Sequence, residues 1–121
     1  MKTKIVLLTG LLCCSPWLAA KEWLIDVRSP EEFATSHLAS AINLPYDQIV
    51  PALAQRGASK KDTLYLYCRS GRRAGIARDE LTQIGYQHVE NLGGMEQAQN
   101  WQQVHQPASR EGNPVLPTKE Q

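Results

Sequence analysis

At 121 residues, 42% of them hydrophobic, the chain has room for one domain with a modest core and not for two. Its 13 basic and 12 acidic residues nearly cancel, a balance that offers nothing to the phosphate backbone of a nucleic acid. No internal repeat divides it.

The first twenty residues read as a leader rather than as part of the fold. Met1-Lys2-Thr3-Lys4 is a basic start, Ile5 to Leu12 is an apolar run, and Leu18-Ala19-Ala20 is a small-residue cleavage region. The run is too short to span a bilayer. Leu12 before Cys13, and Cys13 before Cys14, stand where a lipoprotein signal wants a small residue. The expectation is secretion to the periplasm, with a mature protein that begins at Ala20 or Lys21. Cys13 and Cys14 leave with the leader, so the mature chain keeps Cys68 as its one thiol. A single cysteine in an exported protein forms no internal disulfide and is open to oxidation, which suggests that it is kept for use. Loss of Lys2 and Lys4 also leaves 11 basic against 12 acidic residues, formally −1.

The domain is expected over 21–106. Trp23 to Val27 reads as a buried strand. Ser29, Pro30 and Glu32 then form a capping box that opens a short helix to about Ser36. Glu31 and Glu32 suit its first turn; as neighbours on a helix they point apart, which disfavours paired acid–base chemistry. Ala41 to Leu44 reads as a short strand ended by Pro45. A second helical stretch opens at Tyr46-Asp47, uses Ile49, Val50, Leu53 and Ala54 as its apolar face, and ends at Gly57. Pro51 is tolerated only in a first turn, so this helix should be short or distorted. Lys60-Lys61-Asp62 reads as a solvated turn. A third strand, Thr63 to Tyr67, stops at Cys68, and a helical pattern follows with Ala74, Ile76, Ala77, Leu81 and Ile84, closed by Gly85. His88 to Glu90 is a fourth strand. Asn91-Leu92-Gly93-Gly94 turns into a last helix, Met95 to about Val104, with Trp101 as its anchor. From 107 to 121 Pro, Gly, Ser, Asn and charged residues dominate, the composition of a disordered tail. Alternating strands and helices predict an α/β fold, a mainly parallel sheet covered on both faces.

In such sheets, sites lie beyond the carboxyl ends of the strands. Cys68 follows the most apolar strand, and Asp26-Val27-Arg28 ends the first at the same edge. The loop Cys68-Arg69-Ser70-Gly71-Arg72-Arg73 carries a thiol and three arginines into a helix start. Loop amides and the helix dipole there favour a thiolate and an anion above it. A buried structural cysteine beside a solvated basic turn is the plainer alternative, but three arginines within five residues make poor core chemistry.

Asp26-Val27-Arg28, Glu32-Phe33, His37-Leu38, Ala41 to Pro45, Tyr67 to Ala74 and Asn91 to Gly94 together resemble the rhodanese (thiosulfate sulfurtransferase) family, over nearly all of Trp23 to Trp101. The layout is similar to small exported single-domain members of the phage-shock type. The resemblance implies a three-layer α/β/α rhodanese-like domain and a catalytic Cys68 that carries sulfur as a persulfide. It implies thiosulfate as the anionic donor, cyanide or a thiol as acceptor, no cofactor and no metal. Arg69, Ser70, Gly71, Arg72 and Arg73 are then the substrate-binding loop. Among them Arg73 ranks first as the grip on the sulfonate and Arg69 is expected to face solvent, although an arginine paired with Asp79 or Glu80 is also open. The expected assembly is a monomer. Ser36 and Ser40 stand where the family often has the glycines of a turn, and the family's first edge strand is missing.

Other readings stay in view. Cysteine phosphatases and arsenate reductases use a loop one residue longer, with the gripping arginine six positions after the cysteine, and Ala74 stands there. A persulfide carrier or thiol sensor without turnover would need the same Cys68. His37 is expected to be structural. Asp26 and Arg28 are expected to pair or cap, with Glu32 as another partner for Arg28. His88 and His105 lack neighbours at ligand spacing.

Overall fold

The computed structural model describes residue 10 and residues 19–105, so most of the expected leader and the tail from 107 lie outside the described residues. Four strands and four helices alternate: β1 (Glu22–Asp26), α1 (Pro30–Thr35), β2 (Ile42–Asn43), α2 (Ile49–Gln55), β3 (Thr63–Tyr67), α3 (Arg72–Gln83), β4 (His88–Asn91) and α4 (Met95–His105). The strands form one sheet in the order β2-β1-β3-β4, every pair parallel. No helix among the described residues is long and apolar enough to cross a membrane.

Side chains alternate across β3 and so divide the core in two. Leu64, Leu66 and Cys68 join Ile25 and Val27 against Ile49 and Leu53 of α2 and Ala74, Ala77 and Leu81 of α3. Tyr65 and Tyr67 point to the opposite face, where Leu24, Phe33 of α1 and Ala98 and Trp101 of α4 lie. The result is the three-layer α/β/α arrangement. Both faces of a parallel sheet must be covered, which is why Trp23 to Ile25 of β1 and Leu64 to Tyr67 of β3 are unbroken runs of large apolar and aromatic residues. Trp101 anchors α4 on Tyr65, ring centroids 4.4 Å apart.

Local rules place the boundaries. Ser29 caps α1 and Glu32 answers it in a complete capping box with Pro30 at the first position. Pro51 lies in the first turn of α2, whose seven residues make it the short helix that proline requires. Two expectations need correction. Ile76 and Ile84 are exposed, because α3 lies close to the sheet only along its small Ala74–Ala77–Leu81 stripe. Asp62 belongs to no solvated turn: it is buried and accepts from the main-chain N–H of Lys21 and Ser59 and the indole of Trp23. Burial pushes its carboxyl up, but those donors outweigh it and leave the group below the ordinary value. Arg28 forms the expected buried pair with Asp26, through Nη2–Oδ2 at 2.7 Å, leaving Glu32 to another partner, and its Nη2 also donates to the Ser36 carbonyl, tying the end of β1 to the end of α1.

Ser40 keeps a left-handed backbone, φ +66°, although it carries a side chain. An L-residue pays about 1–2 kcal/mol there, while glycine in its place brings back part of that as unfolded-state entropy. Ser40→Gly should therefore raise stability by about 0.5–1 kcal/mol in urea unfolding. No gain would mean that Ser40 makes good its own strain.

Candidate active site

The site is built at the crossover from β3 to α3. Cys68 leaves the sheet one residue past β3 and is only 1% exposed. It is the free cysteine among the described residues. Gly71, with φ +96°, turns the chain back so that its N–H donates to Cys68 Sγ at 3.0 Å. Gly71 is also the N-cap of α3 and supplies no side-chain cap. The first N–H groups of that helix therefore lack both an intrahelical partner and a capping oxygen.

A second turn, after β4, holds the loop from below. Cys68 N–H donates to the Gly93 carbonyl at 3.1 Å. Asn91 Nδ2 donates to the Gly71 carbonyl at 2.8 Å, and Asn91 Oδ1 accepts from Gly93 N–H at 2.8 Å. Ser70 and Gly94 form an isolated antiparallel bridge. A Cβ on Gly94 would run into the Arg69 carbonyl oxygen, so only glycine lets the two turns touch. The Asn91-Leu92-Gly93-Gly94 run thus fixes the backbone on which Cys68 stands.

The loop opens on a depression of about 590 Å³ lined by Tyr46, Arg69, Ser70, Arg72 and Arg73. The side chains of Arg69 and Arg72 are exposed and take part in no hydrogen bond or ion pair among the described residues. Arg73 is different. Its Nη1 and Nη2 reach Glu32 Oε1 and Oε2 at 3.0 and 3.2 Å, a partner far from Asp79 and Glu80 in the chain. That bidentate pair holds Arg73 at the wall of the depression. Glu32 in turn accepts from Ser29 N–H at 3.0 Å, so the cap of α1 orients the carboxylate that orients Arg73. The Arg73 guanidinium, with help from Ser29, draws the Glu32 carboxyl down to about 2. Arg73 itself is raised, chiefly by its hydrogen bonds to Glu32.

The remaining expected residues take structural posts. His37 Nδ1 meets the Phe33 carbonyl at 2.7 Å and its ring stacks on Phe33 at 3.6 Å. The Tyr67 hydroxyl accepts from Leu38 N–H, and burial raises its phenol above the ordinary value. No group of three or more His, Cys, Asp or Glu residues among those described is arranged to hold a metal. Tyr46 and Glu32 are the two residues at the site that sequence reasoning did not place there. Nothing local marks either one, since Glu32 meets Arg73 across 41 residues of chain.

A buried thiol at the end of a central parallel strand, beneath a basic loop and an uncapped helix start, defines an α/β domain of the kind that handles small anions through cysteine. The chain belongs to the rhodanese family: the sequence profile of the rhodanese-like domain matches residues 15–100. It is 40% identical over 95 residues to the thiosulfate sulfurtransferase PspE of Escherichia coli, covering 78% of this chain and 90% of that protein. A thiosulfate:glutathione sulfurtransferase of Saccharomyces cerevisiae is 36% identical over 77 residues, 54% of this chain and 55% of the yeast protein, so the chain spans about half of that relative. Among solved structures, a rhodanese with anions from E. coli superposes with a TM-score of 0.60 at 41% identity, over 63% of this chain and 89% of that one.

The lowered Glu32 carboxyl has a consequence for pH. A depressed carboxyl stabilises the fold above its unfolded value and loses that contribution as pH falls toward its folded one. Wild type should outlast Glu32→Gln in thermal melts at neutral pH, and the gap should close as pH falls from the ordinary 4.5 to about 2. A gap that persists unchanged at pH 2 would assign the effect to packing instead.

Proposed function

We propose that this chain is a thiosulfate sulfurtransferase whose sulfur carrier is Cys68. The observation that carries the reading is the buried Cys68 Sγ, held by the Gly71 N–H beside a basic depression with two unengaged arginines. The thiolate attacks the outer sulfur of thiosulfate. A new S–S bond forms at Cys68, the S–S bond of thiosulfate breaks, and sulfite leaves with the electron pair. Cyanide or a thiol then attacks the outer sulfur of the persulfide, and the Cys68 thiolate departs to begin a second cycle. Arg69 and Arg72 hold the sulfonate by charge-assisted hydrogen bonds, while the first amides of α3 face the negative charge. Arg73 serves through its pair with Glu32, shaping the wall and adding field. Burial of Cys68 keeps water and bulky oxidants from the persulfide between half-reactions. The PspE relative supports the donor by its name, and the yeast relative's name supports a small thiol as acceptor.

Two alternatives fare worse. A cysteine phosphatase needs an arginine where Ala74 stands buried in the core. A carrier without turnover would leave no reason for the open depression beside the thiol. The basic start, apolar run and Leu18-Ala19-Ala20 support a periplasmic place of work. We read the working unit as a monomer.

Thiocyanate formation from thiosulfate and cyanide tests the reading. Cys68→Ser should abolish it. Arg72→Ala or Arg69→Ala should lower kcat/KM for thiosulfate by the equivalent of roughly 1.5–3 kcal/mol, about 10- to 100-fold, with a smaller effect on the cyanide half-reaction. Full kcat/KM in both arginine variants would leave the sulfonate to the backbone amides alone.

A further inference from the structure

Asp62 poses a problem that sulfur transfer does not solve. Its carboxylate is 3% exposed, at the opposite edge of the sheet from Cys68, where β3 begins. Three donors reach it: Lys21 N–H to Oδ1 at 2.9 Å, Trp23 Nε1 to Oδ2 at 2.9 Å and Ser59 N–H to Oδ2 at 3.0 Å. All three are neutral. Among the described residues no side-chain ammonium or guanidinium comes within 4 Å of it. Those hydrogen bonds favour the charged form over burial, yet no opposite charge touches it, which leaves its strongest available interaction unmade. The Lys21 side chain acts on Asp62 only through the longer-range field.

The one donor on Oδ1 is the main-chain nitrogen of Lys21, the residue that follows Leu18-Ala19-Ala20. Lys21 is also the first residue locked to the sheet, since its carbonyl accepts from Thr63 N–H at 2.9 Å. Ala19 and Ala20 are exposed, and they border a cleft of about 210 Å³ with Lys21, Gly57, Ser59, Lys61 and Asp62. We propose that Asp62 is the receptor for a new chain terminus: hydrolysis of the Ala20–Lys21 bond turns the Lys21 amide into an α-ammonium that ion-pairs with the waiting carboxylate.

Water is the co-reactant, and a leader-cleaving peptidase that reads small residues is the catalyst. The C–N bond breaks, the water oxygen bonds to the Ala20 carbonyl carbon to give its carboxylate, and both of the water's protons end on the Lys21 nitrogen. Cleavage there places Ala20 before the bond and Leu18 three positions before it, whereas cleavage one residue earlier would place the bulky Trp17 in that second position. The neutral N–H···O bond becomes a charge-assisted one at the same distance, with the other Asp62 oxygen still held by Trp23 and Ser59. The precursor is then the less stable form, and the domain tightens only once the leader is gone. The proposal rests on the export reading above.

The full gene is expressed and the protein recovered from the periplasm, alongside a variant with Gly-Ser inserted between Ala20 and Lys21. That product keeps two extra residues and an amide nitrogen on Lys21. Intact mass should show that wild type begins at Lys21, and wild type should melt roughly 4–8 °C above the insertion variant. Asp62→Asn should erase that gap. Should Asp62→Asn fail to fold, α-amine labelling of the wild type decides without it: the native terminus should react roughly tenfold more slowly than the urea-unfolded one, the effect of a one-unit rise in its basicity. Equal melting temperatures and equal labelling rates would overturn the receptor while leaving export intact. A retained Met1, or a mature start other than Lys21, would overturn the proposal at its first step.

Discussion

The contact on which the site depends is backbone against backbone, where the loop after β3 touches the turn after β4. Cys68 N–H on the Gly93 carbonyl, Asn91 bridging Gly71 and Gly93, and Gly94 lying against the Arg69 carbonyl leave the loop one conformation. That conformation places the Gly71 N–H on the sulfur and starts α3 immediately afterwards. Side chains with freedom to move decorate this frame; the thiol does not share that freedom. A nucleophile held to within a fraction of an ångström needs such support, because misplacement costs rate even when every group is present.

Electrostatics divide the loop arginines into two roles. Glu32 takes both terminal nitrogens of Arg73, and Ser29 holds Glu32, so a helix cap is linked to the active-site wall. Arg69 and Arg72 leave their guanidinium groups exposed, with no ion pair among the described residues. An unpaired arginine remains hydrated until substrate displaces the water, whereas a paired one contributes field without changing partner. The pair with Glu32 also lowers the net positive charge of the loop.

Much of this was legible in the chain because the rules involved are local. The Ser29–Glu32 capping box, Pro51 in a first turn, the apolar run of β3 and the basic loop after Cys68 each follow from neighbours within a few residues. What escaped was set by distance. Asp62 follows two lysines in sequence and reads as solvent-facing, yet Lys21 and Trp23 of the neighbouring strand reach over to cover it. Ile76 and Ile84 fit a helical apolar pattern, but α3 meets the sheet through alanines, and the larger side chains fall outside that contact. Arg73 was the natural grip by its place in the loop, and only the fold shows that Glu32 had already engaged it. Ser40 kept the backbone of a glycine that it is not, a conformation imposed by the turn around it.

The claim at the centre is that a single atom, Cys68 Sγ, carries the transferred sulfur. Intact-protein and peptide mass spectrometry after treatment with thiosulfate alone tests it without any assumption about the acceptor. The account predicts one added sulfur, located on the peptide that contains Cys68 and removed by cyanide as thiocyanate appears. A protein that turns over thiosulfate and cyanide while Cys68 never gains sulfur would contradict it.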